Sequence, residues 1–503
     1  MPARSPLKKI AILGCFFVCT PSLAEVNLPL PPTILATPLA RHPVSADKLL
    51  QLEESVSLGL AFNKILRSAY VSRDSQAFDL YVAEGKFIPK TTVSASYKTL
   101  SGSAGRTRQI DGGVTSSLAL PTGGTLSLST ARALLPEQGL RSTLSSLTLT
   151  QPLLKNAGLA MAMSSITQAR LADAASRIGL QNVIAQTVAQ IIYAYRNLLR
   201  AQEQIKIARD GLARATHFVA MNQVLAQAGR IPSMDVIQAE ADVANQALAL
   251  EESVNQLDSY RLELLSLLSL DLDSQVSAVA DTWGMDASPI MPEQVAGLIA
   301  QHPDYRAAQL ALERARQRLR VANNQQLWDV SLVAGVNQNT PGNSPTEARK
   351  TDKYLGAQLS IPLFDRSIEQ ARVSAENDLK NEKIQLEQVR QSLRSKMINA
   401  IRNVQARAKQ AALADKAAAL ARQKMDIEQE KLRYGRSSSF QVILFENDLR
   451  AAENNRLNAR MNYLNTQVEL LLATGMLVDK WNARLISQAE IQALLEGQGD
   501  EAD

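Results

Sequence analysis

The chain carries one plan twice, and this duplication limits its fold more than any figure of composition does. From Gly229 it reads Gly-Arg-Ile-Pro-Ser-Met-Asp-Val-Ile-Gln-Ala-Glu-Ala-Asp, and from Gly435 it reads Gly-Arg-Ser-Ser-Ser-Phe-Gln-Val-Ile-Leu-Phe-Glu-Asn-Asp. Gly, Arg, Ser, Val, Ile, Glu and Asp recur at the same offsets without a gap. A second anchor agrees: Leu147 to Leu153 (Leu-Thr-Leu-Thr-Gln-Pro-Leu) matches Ala357 to Leu363 (Ala-Gln-Leu-Ser-Ile-Pro-Leu). Both anchors are displaced by about the same distance, so the chain is a tandem repeat of one structural unit.

Each copy orders its elements alike. A helix is predicted first, over 45–86 in copy one and 293–327 in copy two. Strands follow. Thr92 to Tyr97 alternates polar and apolar residues, and Val330, Leu332, Ala334 and Val336 share one face of a second strand. Leu355, Ala357, Leu359 and Ile361 share one face of the closing strand. Such alternation suits a barrel wall with a lipid side and a water side, and suits equally a half-buried soluble sheet. Copy two joins its strands through 337–353, rich in Pro, Gly, Asn and charge. Copy one is longer there and holds another alternating hairpin, Val114 to Leu120 and Thr125 to Thr130, joined by Pro121-Thr122-Gly123-Gly124. The sequence leaves open whether that hairpin extends a barrel or folds elsewhere.

The longest elements come after Pro152 and Pro362. Residues 153–228 and 363–433 lack proline and favour helix. At 1.5 Å per residue each makes a rod of roughly 100 Å. A rod so long cannot bury its apolar stripe inside a compact domain, so it packs on other rods. At Gly229 and Gly435 the chain reverses, and a second helix returns through Leu270 and Met476. A proline stands at each strand-to-helix junction, where a missing N–H costs least. Short strands joined to rods of this length favour a duct: a soluble fibre has no use for the strands, and a simple porin none for the rods.

The amino terminus reads as a secretory leader. Arg4, Lys8 and Lys9 precede an apolar core from Ile10 to Thr20, and Ser22-Leu23-Ala24 offers a cleavage site. A rival reading takes Ile12-Leu13-Gly14-Cys15 as a lipobox, but apolar sequence continues beyond Cys15. Both cysteines, Cys15 and Cys19, lie in this leader, so the processed chain has no thiol for a disulfide, a zinc site or a nucleophile. Losing its three basic residues takes the formal charge from +5 to +2, which gives no case for nucleic acid. No later stretch reaches the length of a transmembrane helix. Any membrane crossing is by strands.

With these features on the page, the chain resembles the TolC-like outer-membrane efflux protein family. The resemblance rests on the repeat, on Ala300-Gln301-His302-Pro303-Asp304-Tyr305-Arg306, on the Gln151-Pro152-Leu153 and Ile361-Pro362-Leu363 junctions, and on Tyr434-Gly435 followed by Val442 and Ile443. It covers residues 45–480, although the copy-one counterpart Asn63-Lys64-Ile65-Leu66 has lost its proline. It implies a mixed α and β membrane protein: a homotrimer whose strands, about four per protomer, close one 12-stranded transmembrane β-barrel continuous with a long periplasmic α-helical barrel. The implied divisions are a signal peptide (1–24), a linker (25–44), a first repeat (45–272), an equatorial segment (273–292), a second repeat (293–477) and an equatorial segment with a polar tail (478–503).

The resemblance also implies partners and sites. Such channels sit in outer-membrane lipid and serve an inner-membrane pump of RND, ABC or MFS type through a periplasmic adaptor. Gly229, Arg230, Ser233, Gly435, Arg436 and Ser439 are then the tip turns that contact the adaptor. They read otherwise as plain helix-hairpin turns with a capping serine. Where some members place pore-closing carboxylates, this chain has Gln441 and Leu444. Asp235 takes the first such position in copy one, and Glu446 and Asp448 lie further up. A ring of three Asp235 side chains would favour cations, while a solvated helix-face carboxylate is the plain alternative.

No cofactor and no enzyme chemistry is legible. His42, His217 and His302 are scattered without metal-ligand spacing, and serine-hydrolase and phosphate-loop motifs are missing. Trp283, Trp328 and Trp481 are too spread for a stacking platform. Trp328, at a helix-to-strand junction, fits a membrane interface or a packed junction. A different class stays open: an elongated periplasmic coiled-coil protein that never inserts in a membrane.

Overall fold

The structure is a computed structural model that describes residues 48–102, 105–136, 142–280, 294–341 and 350–480. The expected leader with Cys15, Cys19 and Ala24, the expected linker, His42, Trp283 and Trp481 lie outside the described residues, as do most of 273–292 and 478–503.

Copy one begins with strand β1 (Lys48–Leu50) and helices α1 (Leu52–Phe62) and α2 (Lys64–Glu84). Strands β2 (Lys90–Gly102), β3 (Gly105–Ala119), β4 (Thr125–Pro136) and β5 (Ser142–Pro152) follow. The long helix α3 (Leu159–Gln227) and its return α4 (Ser233–Leu268) end in strand β6 (Val276–Ala278). Copy two repeats the order with α5 (Val295–Gln301), α6 (Pro303–Gln325), β7 (Asp329–Pro341), β8 (Lys350–Ser360), α7 (Ser367–Arg433), α8 (Ser439–Ala473) and the short α9 (Leu477–Lys480).

Each expected opening helix is broken in two, and at matched positions. Asn63 separates α1 from α2 and caps α2, its Oδ1 accepting from the N–H groups of Ile65 (2.9 Å) and Leu66 (3.1 Å). His302 separates α5 from α6 and caps α6, its Nδ1 accepting from the Asp304 N–H at 3.1 Å, with Pro303 as the first helical residue. Copy one keeps the cap and dispenses with the proline.

The six long strands form one antiparallel sheet in the order β2-β3-β4-β5-β7-β8. The chain thus supplies six strands where about four were expected. The two N-caps, Asn63 and His302, lie 239 residues apart and the two junction prolines 210, so copy one holds 29 more residues between them. Those residues are the β3–β4 hairpin, which enters the sheet between β2 and β5 rather than folding elsewhere.

The core lies along α3. Helix α3 packs on α1, α2, α4, α6, α8 and β6, and Ile184, Ile191, Ile192 and Leu198 are buried in its middle. At this level β1 and β6 pair in parallel. The buried Tyr195 hydroxyl lies 2.9 Å from the Leu50 carbonyl and 2.8 Å from the Val279 carbonyl, and accepts from the Val279 N–H at 3.0 Å. A waist therefore ties the start of copy one to the segment between the copies. Helix α7, nearly as long as α3, packs mainly on α5, α6 and α8. It leaves Ile384, Ile398, Leu413, Leu420 and Ile427 exposed along its length.

Candidate functional site

The sheet has two chemically opposite faces. The cross-strand register places Val93 beside Val114, Leu128 beside Leu147, Leu147 beside Val336 and Ala334 beside Leu355. These side chains share one face, with Leu332 and Leu359 and a few hydroxyls (Ser116, Thr130 and Ser145), and all but the half-buried Ala334 among the apolar ones are exposed: Val93 is 76% accessible, Leu355 81% and Leu359 60%. The other face carries hydroxyls. Ser129 and Ser146 are hydrogen-bonded across β4 and β5 at 2.7 Å, and Thr148 reaches the Tyr354 hydroxyl at 3.0 Å across the intervening β7. That reach is possible because Gly335 stands between them; a Cβ there would strike the Tyr354 ring. An exposed apolar face backed by a hydroxyl face is what a wall between lipid and water requires. Trp328, more than half exposed, precedes β7 on the apolar side, at the end of the sheet next to the helices. Among the described residues no helix is long and apolar enough to cross a bilayer.

The sheet is also open. β2 and β8 end the strand order, and each leaves one row of backbone donors and acceptors without a strand partner. Strands of 13 and 11 residues meet the length of about 9–11 needed to span a bilayer, where an unpaired edge costs several kcal/mol per group. Beyond β8 the chain continues through the exposed Leu363 and Phe364. Pro152 ends β5 and Pro362 follows β8, but the helices begin only at Leu159 and Ser367. In copy one the gap is a turn with Asn156 and Gly158 at positive φ, and the Gly158 N–H donates to Thr122 of the β3–β4 turn.

At the far ends of the rods the two expected turns are built identically. Gly229 (φ 68°) and Gly435 (φ 70°) occupy the left-handed region with open space around the missing Cβ. Their N–H groups donate to Ala226 and Leu432, while the Arg230 and Arg436 N–H groups donate to Leu225 and Lys431. This double bond pattern terminates both long helices, and glycine is what makes it cheap. Arg230 and Arg436 are exposed. Ser233 is exposed and Ser439 is buried, and neither is the cap: Pro232 holds that place in copy one and Ser438 in copy two, where its hydroxyl accepts from the Gln441 N–H at 3.3 Å. Ser437 donates to Glu428 at 2.6 Å, and Lys431 joins the same carboxylate at 3.0 Å.

The acidic candidates differ in setting. Asp235 and Gln441 are half-buried in the first turns of α4 and α8. Asp448 pairs with Lys424 of α7 at 3.0 Å. Glu446 is buried and faces inward, its Oε1 2.7 Å from Nε of Arg214 on α3. Arg214 also lies 3.8 Å from Glu453, which Arg422 approaches at 3.9 Å. Burial pushes the Glu446 carboxyl up, against the pull of Arg214; burial likewise raises Asp242, against a hydrogen bond from Gln246. This polar layer joins the two helical hairpins, and nothing in the sequence marked it: Arg214 and Glu446 meet only through the fold. The exposed His217 takes no part, and among the described residues no group of three or more His, Cys, Asp or Glu is placed to hold a metal.

Comparison with known proteins gives the same picture. Residues 296–476 match the family described as Outer membrane efflux protein. The cobalt-zinc-cadmium resistance protein CzcC of Cupriavidus metallidurans is 25% identical over 36% of this chain and 41% of its own. The alkaline protease secretion protein AprF of Pseudomonas aeruginosa is 25% identical over 44% of this chain and 46% of its own. The chain thus spans less than half the length of these relatives. Among solved structures, the outer-membrane protein VceC of Vibrio cholerae superposes with a TM-score of 0.66 at 16% identity, covering 84% of this chain and 96% of that one. The outer-membrane channel OprN gives 0.66 at 18%, covering 88% and 95%. Residues 296–476 thus resemble the outer-membrane efflux proteins in sequence, and the chain shares its fold with outer-membrane channels of known structure.

Proposed function

We propose that three copies of this chain form an outer-membrane duct, the channel component of a tripartite efflux or type I secretion system. It gives substrates passive passage from an inner-membrane pump and periplasmic adaptor to the exterior. One observation carries the reading: a two-faced sheet, open at both edges, continues into rods of about 100 Å whose outer apolar stripe on α7 is uncovered. A second copy supplies what the free edges and the stripe both lack. Six strands also fall short of the eight in the smallest outer-membrane barrels, so one chain cannot close alone.

A heat-resistant trimer in the outer-membrane fraction supports the duct. A monodisperse periplasmic fibre, extracted without detergent, would sink it in favour of the structural coiled-coil reading. The tips with Arg230 and Arg436 are the proposed adaptor surface, since both arginines are exposed and neither turn geometry requires that side chain. Of the acidic candidates, Asp235 fits a constriction best, because Glu446 and Asp448 are engaged within the chain. If Asp235→Ala trimers keep their cation selectivity in planar bilayers, the constriction idea fails. The two relatives are named for metal resistance and for protease secretion, and the pump decides between such cargoes. Crosslinking from the tips identifies that pump through its adaptor.

A further inference from the structure

We infer that the β3–β4 hairpin is a full-height part of the barrel wall, so that three chains close an 18-stranded barrel with a wider outer mouth than two hairpins per chain would give. This rests on the duct reading above and goes beyond it.

Three observations carry it. First, β3 pairs with β2 over Lys90–Gly102 and with β4 from Thr125 to Pro136, while β4 pairs with β5 over Thr125–Arg132. At 15 and 12 residues they exceed the roughly 9–11 that cross a bilayer. Second, the hairpin keeps the two faces of the sheet. Val114, Leu118, Leu126 and Leu128, interrupted by Ser116 and Thr130, continue the apolar face, and Thr115, Ser127 and Ser129 the hydroxyl face. A hairpin folded into a water-filled lumen would meet water on both faces and have no need of an apolar one; alternation in register with β2 and β5 is the mark of a wall. Third, its turn is anchored at the helix end of the sheet. Thr122 accepts from Gly158 at 3.0 Å, and the Gln151 side chain meets Thr122 through its Oγ1 (2.7 Å) and its carbonyl (3.1 Å). Gly123 lies so close to the Asn156 carbonyl that a Cβ there would collide with it, and its φ of 89° also favours glycine. The turn therefore packs into the junction from which α3 departs.

Three copies of six strands give eighteen. Barrel diameter grows roughly linearly with strand number, so the mouth is about 1.5 times as wide as a 12-stranded one at equal tilt. β2 of one chain pairs with β8 of the next, because these are the two strands with a free edge.

Two experiments test this on the full chain, with Cys15 and Cys19 replaced by Ser. Single variants Ser127→Cys and Leu128→Cys are labelled in outer-membrane trimers. The wall requires that Ser127→Cys react with a water-soluble maleimide, and that a fluorophore at Leu128→Cys be quenched by a lipid-borne quencher. Equal labelling of both from water, with no lipid quenching, overturns the hairpin's place in the wall. In the second test residues 103–141 are replaced by an Asn-Gly turn, which joins β2 to β5 at the same end. Polyethylene glycols are then added to the outer side of planar bilayers. The natural chain admits polymer of about 1.5-fold larger radius than the deletion; an unchanged cut-off overturns the wider mouth. Absence of any membrane trimer of the natural chain would instead remove the duct reading, and the inference with it. Should the deletion not assemble, the two cysteine variants still decide.

Discussion

At the scale of single residues, the polar layer between the hairpins sets burial against pairing, and burial raises the pKa of two carboxylates there. Glu446 lies 2.7 Å from Arg214, and removing it leaves a half-buried guanidinium whose other carboxylate is 3.8 Å away. Glu446→Ala is expected to cost about 1–3 kcal/mol, read as a lower dissociation temperature of the purified assembly. Glu446→Gln keeps an acceptor for Arg214 and costs less, because burial already works against the charge. Asp242 is pulled down by the Gln246 hydrogen bond and by Arg450, but burial outweighs both, and its raised pKa means that the folded chain binds a proton more readily than the unfolded one. That contribution favours folding below the ordinary value near 3.8 and is lost as pH rises through the raised one. Asp242→Asn is therefore expected to stabilise at neutral pH, and its Nδ2 can donate to Gln246, whose buried Oε1 lacks a partner. A stability gain that persists at pH 3 would show that the gain does not come from the charge.

At the scale of elements, the strands and rods were legible and their ends were not. Alternation at Val330–Val336 and Leu355–Ile361 located β7 and β8, because a strand exposed on one face must repeat every two residues. The helix was expected to start at Leu153, since 153–228 lacks proline; it starts at Leu159 because Asn156 and Gly158 take positive φ to pack beneath the β3–β4 turn. That is tertiary information. The same holds for the break at Asn63, which a continuous helical pattern conceals. Its side chain caps α2 and also donates to the Leu267 carbonyl at 2.8 Å, fastening the first helices to the end of α4. Asn63→Ala loses the cap, about 1 kcal/mol, and leaves a carbonyl at the α4 end unpaired for about 1 more. Asn63→Asp restores the acceptor alone. Urea unfolding should rank the natural chain above Asn63→Asp above Asn63→Ala; equal losses for both variants would show the cap contributes nothing. At the tips, the recurring Gly229 and Gly435 are the reversal points, whereas the N-cap positions are Pro232 and Ser438, one residue before Ser233 and Ser439, and only Ser438 makes a side-chain cap.

At the scale of the whole molecule, one substitution separates a wall in lipid from a sheet in water. Leu355 is 81% exposed on β8, and on a water-facing sheet Leu355→Arg would cost nothing and improve solubility. Facing lipid near mid-depth, the same change costs about 2–4 kcal/mol per chain. A closed ring repeats that cost at every protomer, so even the lower bound greatly reduces assembly. Gln358→Arg is the control: it sits three residues along the same strand on the hydroxyl face, where a barrel holds water and a charge stays solvated. The expected outcome is loss of heat-resistant trimer from the outer-membrane fraction for Leu355→Arg and its retention for Gln358→Arg. The contrast does not depend on how well either strand tolerates arginine as such, because both positions share β8, its free edge and its exposure to solvent in the lone chain. Only the side of the sheet differs, and only a membrane makes the two sides unequal.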